Sequence, residues 1–334
     1  MSRTDQAVTV PMDVAWVPSW LSWVGCVTAC LRALGVDCDR ADVAGVSGYA
    51  FQLTIHKQLC PSGPTVCSWG ALAEGIPLLG RSILSFATAH ECHTGDSRND
   101  RTREACRRAF DMVSAEIAAG RPCMIWGTYV PECGVVVGID GDSYVVKSYR
   151  EATGEPQPPI RFDDLDAPGG PYALAFPGEV RPNPAWRDRY PLWRAAQLLE
   201  QSAWWHPHWT TGLAAAYGAW VAAMESGDFI PFGAAYNAQC WAESRALGRD
   251  FLGRVAARCP FASEPLGRAA EAYGESADHL ARVAGLFPFP PRGEAPVEAA
   301  TRQEAAEALR AAQMAETRAH EALVAALAAD WPLQ

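Results

Sequence analysis

The stretch CGVVVGIDGDSYVVKS, Cys133 to Ser148, constrains the fold most. Two valine-rich runs flank Asp140-Gly141-Asp142, a turn sequence that suits a tight reversal. Val135–Ile139 and Tyr144–Lys147 therefore pair as an antiparallel hairpin. Pro122–Gly127 and Tyr172–Phe176 are further short apolar runs of strand type. Helix signals precede and interleave with them. Cys26 to Leu34 is an apolar run ended by Gly35, and in Arg101 to Ala119 the residues Phe110, Val113 and Ile117 recur at helical spacing before Gly120.

Around Pro177 to Pro191 proline and arginine punctuate the chain, as in RPNPAWRDRYP, and strand signals end. Leu192–Ser202, Thr211–Glu225, Ala235–Cys259, Pro265–Leu286 and the alanine- and glutamate-rich Val297–Ala329 read as helices. The fold class is α+β: a domain with an antiparallel sheet over residues 1–180, then an all-helical domain over 181–334.

Net charge narrows the function classes. A chain of −10 repels phosphate backbones, so no nucleic-acid partner is expected. Eleven cysteines without a CxxC pair exclude a zinc ribbon or a thioredoxin-type motif. They fit reduced, mostly buried thiols in a cytoplasmic protein. Val14 to Leu31 is uncharged, but Pro18, Ser19, Ser22, Gly25 and Thr28 dilute it, and no membrane role is expected. Glycine-rich phosphate loops are lacking, so no nucleotide cofactor is expected.

In the first domain a cysteine near the start of a buried helix is followed, about a hundred residues later, by AAGRPCMIWG and then by the hairpin strand CGVVVGIDGDSYVVKS. Over residues 15–180 this order resembles the papain-like superfamily, especially its peptidase-C39-like and BtrH-like branches. The resemblance implies a papain-like fold with Cys26 as nucleophile. It also implies a histidine opening the hairpin strand, and a later Asp or Asn that orients it. A helical C-terminal piece is similar to the BtrH-like arrangement, in which acyl groups leave a carrier protein.

Two of the three implied triad positions differ. The strand opens Pro131-Glu132-Cys133-Gly134, so Cys133 stands where the resemblance implies histidine. The strand that would supply the orienting Asp or Asn reads Val146-Lys147-Ser148. A thiolate at neutral pH needs a base or a cationic partner, so an ordinary peptidase is not expected. His56, in the segment GYAFQLTIHKQLCPSGPT, lies in the same domain and is a candidate to replace the imidazole, because triad geometry can be built from different chain positions. Glu132 is the second candidate for handling protons.

Ser22 and Cys30 flank Cys26 at four-residue spacing. Ser22, Cys60 and Cys133 are candidates for the substrate site. For Cys26 and Cys30 the alternative is a pair of small core residues. His56, Cys60, Glu132 and Cys133 have zinc-type donors, but His-x3-Cys arises easily by chance and no metal is expected. His90-Glu91-Cys92-His93 lies in a polar stretch read as a surface loop. In the helical domain, Trp205 within WWHPHW and Tyr236-Asn237 are substrate-wall candidates, and Asn237, Glu243 and Arg245 are candidates for a buried polar network.

Two functions follow. One is a thiol-dependent acyl or amide transferase of small-molecule biosynthesis, acting on a small or acyl-carrier-bound substrate through Cys26, with His56 or Glu132 moving protons. The other is a catalytically inactive papain-like domain that binds a ligand or partner.

Overall fold

The computed structural model describes residues 7–87, 100–201, 207–291 and 297–331. Its strands are β1 (Val8–Thr9), β2 (Thr54–His56), β3 (Leu84–Ala87), β4 (Cys123–Trp126), β5 (Cys133–Asp140), β6 (Ser143–Lys147), β7 (Ile160–Arg161), β8 (Tyr172–Ala175) and β9 (Trp209–Thr211). Its helices are α1 (Ser22–Ala33), α2 (Arg40–Val46), α3 (Trp69–Ala73), α4 (Asp100–Ala118), α5 (Arg150–Thr153), α6 (Pro184–Glu200), α7 (Leu213–Ser226), α8 (Pro231–Arg258), α9 (Ser263–Leu286) and α10 (Ala299–Leu327). The chain is mixed α and β, with an antiparallel sheet and a helical C-terminal region. No described helix is long and apolar enough to cross a membrane.

The chain divides into two compact units. The first joins residues 1–43 to 76–182, and the second joins 44–75 to 183–334. The second unit thus takes in 44–75, which a linear division at residue 180 leaves with the sheet.

In the first unit the antiparallel sheet runs β3-β8-β4-β5-β6-β7, and β1 also pairs with β5. The hairpin forms in the expected register, with Asp140 opposite Ser143, Ile139 opposite Tyr144, and Gly141 at φ +55° in the turn. A bulge between Val136 and Gly138 shifts the ladder. Cys133 to Val136 are all buried, inward- and outward-facing alike, so both faces of β5 are covered there. Helices α1 and α4 pack against this strand. Beside β6, Phe110 stacks edge-on to Tyr144 and the Arg107 guanidinium lies 3.8 Å over Phe162.

In the second unit α7, α8, α9 and α10 pack side by side. The small inward residues of α10, among them Ala305, Ala308, Ala312, Ala315 and Ala319, are buried and permit close approach. Strand signals were expected to end before this region, yet β9 pairs antiparallel with β2, with His56 opposite Trp209. Each strand has three residues, too few to show an alternation pattern. The helix expected from Leu192 begins instead at Pro184. Pro184 occupies the first turn, where a missing N–H costs nothing, and the Asn183 carbonyl accepts from Trp186 and Arg187 N–H.

Candidate functional site

Ser22, Cys26, Glu132 and Cys133 belong to the first unit. Helix α1 starts at Ser22, four residues before the expected start, so Cys26 sits in its second turn. The terminal dipole that favours a thiolate falls off within the first turn and does little for Cys26. Gly25 is required here, because a Cβ on it would overlap the Val17 carbonyl oxygen. The Ser22 hydroxyl accepts from the Cys133 N–H at 3.1 Å, which pins the first turn of α1 to the start of β5. The strand carrying Cys133 therefore does lie against the helix carrying Cys26.

Glu132 is set by the loop between β4 and β5. Its carbonyl accepts from Gly127 N–H at 2.9 Å, Thr128 N–H at 3.0 Å and the Thr128 hydroxyl at 3.3 Å. Gly127 turns at φ +91°, and a Cβ there would crowd Ala167 and the Asp166 carbonyl carbon. Tyr129 adopts φ +67°, unusual for a non-glycine residue. Its hydroxyl donates to the Pro158 carbonyl at 2.8 Å, and the Arg150 guanidinium covers its ring at 3.8 Å.

The Cys26 thiol is fully buried, with 0% exposure. Burial first, and the charge of Glu132 second, push it well above the ordinary thiol range, while a hydrogen bond with the Trp16 side chain pulls weakly the other way. Cys30 is raised by burial first and then by Cys123 and Cys26, and Cys123 by burial first and then by Glu116. These thiols are protonated at neutral pH. The first unit contains no histidine among its described residues. Among the described residues, no group of three or more His, Cys, Asp or Glu is arranged to hold a metal.

His56, Cys60, Tyr236 and Asn237 belong to the second unit. His56 Nδ1 accepts from the Gln58 N–H at 3.1 Å, which puts the ring proton on Nε2 in the neutral imidazole. The ring stands edge-on to Trp209 at 4.9 Å and tilted to His208 at 5.9 Å. The turn that follows needs Leu59 at φ +53°. Asn237, expected in a substrate wall, clasps this turn. Its amide donates to the Cys60 carbonyl at 3.0 Å and to the Gly233 carbonyl at 2.8 Å, and its oxygen accepts from the Trp241 indole at 3.2 Å. Both amide N–H groups are thus engaged within the protein. Tyr236 joins Phe232 and Phe289 in a three-ring cluster. Trp205, and His90 to His93, lie outside the described residues.

Two helical turns beyond Asn237, the Arg245 side chain is wholly buried. Its guanidinium forks onto Glu316 of α10 through Nε at 2.8 Å and Nη2 at 3.0 Å. Glu316 also accepts from the Tyr217 hydroxyl at 2.5 Å and the Ser276 hydroxyl at 2.7 Å, so one carboxylate joins α7, α8, α9 and α10. Arg245 Nη1 donates to the Gln52 carbonyl at 2.5 Å. Burial alone would lower the Arg245 pKa; the Glu316 carboxylate outweighs it and raises it. The same burial, followed by Glu316, holds Tyr217 neutral. The sequence singled out Arg245 but not Glu316, Tyr217 or Ser276. Its signal was the grouping of polar Asn237, Glu243 and Arg245 within one helical segment.

No known family model matches this chain, and no curated protein is significantly similar to it.

Proposed function

We propose that the first unit derives from a papain-like thiol enzyme whose chemistry has lapsed, and that the protein binds a ligand or partner without transforming it. One observation carries this reading: the thiol at the nucleophile position is fully buried and raised, and the charge acting on it is a carboxylate. A nucleophilic cysteine needs the opposite, an accessible sulfur beside a cation or an imidazole. The Ser22–Cys133 hydrogen bond supports the papain-like descent, because it ties the helix that carries Cys26 to the strand position where the resemblance implies the base. Cys133 offers no imidazole there.

Iodoacetamide labelling of the native protein near neutral pH, read cysteine by cysteine by mass spectrometry, tests the proposal. Cys26 should stay unlabelled until the chain is unfolded, while the partly exposed Cys60 labels first among the described cysteines. Rapid native labelling of Cys26, slowed by Glu132→Gln or His56→Ala, would restore the transferase reading with its small or acyl-carrier-bound substrate.

A further inference from the structure

Tryptophan is seldom left in water, yet Trp186 and Trp193 on α6 are 57% and 51% exposed. They form one ladder with Tyr190, whose ring centroid lies 6.3 Å from Trp186 and 5.8 Å from Trp193. The spacing i, i+4, i+7 sets the three rings along one face over about 10 Å of helix. Basic residues interleave with them. Arg189 is exposed and makes no ion pair among the described residues, whereas Arg194 is half-buried, meets the Tyr190 hydroxyl at 3.5 Å and lies against Gly48. The single acid of this stretch, Asp188, is buried and taken by Arg258 at 2.6 Å and Arg187 at 3.1 Å.

We infer that the outer face of α6 is a docking surface for an acidic amphipathic helix of another protein. Tryptophan, tyrosine and arginine are the residue types that dominate protein–protein hot spots. Exposed Arg189, and Arg187, which shares the one carboxylate Asp188 with Arg258, make this face locally positive in a chain of net charge −10 and complementary to acidic side chains. Apolar residues seven apart on a partner helix match the reach of the ladder. A second copy of this chain fits less well, since a symmetric contact sets Arg187 and Arg189 near their own like charges. A membrane surface also fits less well. An interfacial helix buries its aliphatic face in lipid, whereas Leu192, Ala195, Ala196 and Leu199 of α6 are buried in the protein. The inference is independent of the state of Cys26.

The test uses the full chain and a fluorescein-labelled amphipathic helical peptide of leucine and glutamate, with its leucine–lysine counterpart as control, read by anisotropy. The acidic peptide should bind, more tightly at low salt, and the basic one should not. The double variant Trp186→Ala/Trp193→Ala and the single variant Arg189→Glu should each weaken binding by about tenfold or more. Unchanged circular dichroism would show that these surface variants stay folded. The inference is overturned by absent binding, by preference for the basic peptide, or by folded variants that bind as the wild type does. Two further results also overturn it. One is a wild-type dimer that the double tryptophan variant dissociates, and the other is pelleting with phosphatidylserine vesicles that this variant abolishes.

Discussion

Replacing Glu316 by glutamine keeps the side-chain volume and removes one charge at the point where four helices meet. In the wild type the carboxylate accepts four hydrogen bonds, two from Arg245 and one each from Tyr217 and Ser276. With both ionic side chains at 0% exposure, solvent cannot screen what is left. Glu316→Gln strands the guanidinium in the interior and should cost about 3–5 kcal/mol, the range for breaking a buried pair on one side. Removing both charges together, as Arg245→Met/Glu316→Leu, strands no ion. The Gln52 carbonyl and the Tyr217 and Ser276 hydroxyls then lose partners, at about 1 kcal/mol each. The double variant should therefore be no less stable than Glu316→Gln alone, and the corresponding cycle should show strong coupling. The readout is native-state hydrogen exchange at amides of α8 and α10, which reports on this helix cluster itself, backed by urea titration. A Glu316→Gln protein within about 1 kcal/mol of wild type would refute the reasoning, as would simple additivity in the cycle.

Gly233→Ala should destabilise by about 1–3 kcal/mol, because its Cβ would overlap the Leu59 carbonyl oxygen, whereas Gly253→Ala on the same helix, with open space around it, should stabilise by about 0.5–1 kcal/mol; urea midpoints distinguish the two. Burial first and Asp42 second push the Cys38 thiol from 9.0 up to about 12. The folded state therefore holds that proton more tightly than the unfolded chain does. The resulting stability is complete below pH 9 and is lost as pH rises toward 12, by at most about 1.4 kcal/mol per pH unit, so Cys38→Ala should flatten the alkaline limb of stability against pH.

What the sequence revealed depended on how far apart the interacting residues lie. The β5–β6 hairpin was legible because its turn, its valines and its register all fall within sixteen residues of chain, Cys133 to Ser148. Helices α7 to α10 were legible within a few residues, since helix-favouring composition and the absence of strand-type runs are local signals. The β2–β9 pair joins residues 155 apart through two three-residue strands, and no local pattern announces it. The Arg245–Glu316 pair spans 71 residues in the same way. Proline misled the reading at 183–191. Pro184 opens α6 rather than ending an element, and Pro191 sits inside it, with the chain around it held by the buried Leu192, Ala195 and Ala196.

The membership of residues 44–75 in the second unit has a physical cause that also bears on the site. Asn237 clasps the Cys60 carbonyl, a Cβ on Gly63 would overlap the Asn237 oxygen, and one on Gly233 would overlap the Leu59 carbonyl. The Ser244 hydroxyl donates to the Tyr49 and Ala50 carbonyls. Two close backbone approaches and a run of side-chain donors thus fasten this segment along one face of α8. His56 and Cys60 owe their positions to that fastening, while Cys26 and Glu132 owe theirs to α1 and the β4–β5 loop. Within its own unit, Cys26 meets burial and a carboxylate. Both disfavour a thiolate at Cys26, and it is on this pairing of burial with a carboxylate that the proposed binding role rests.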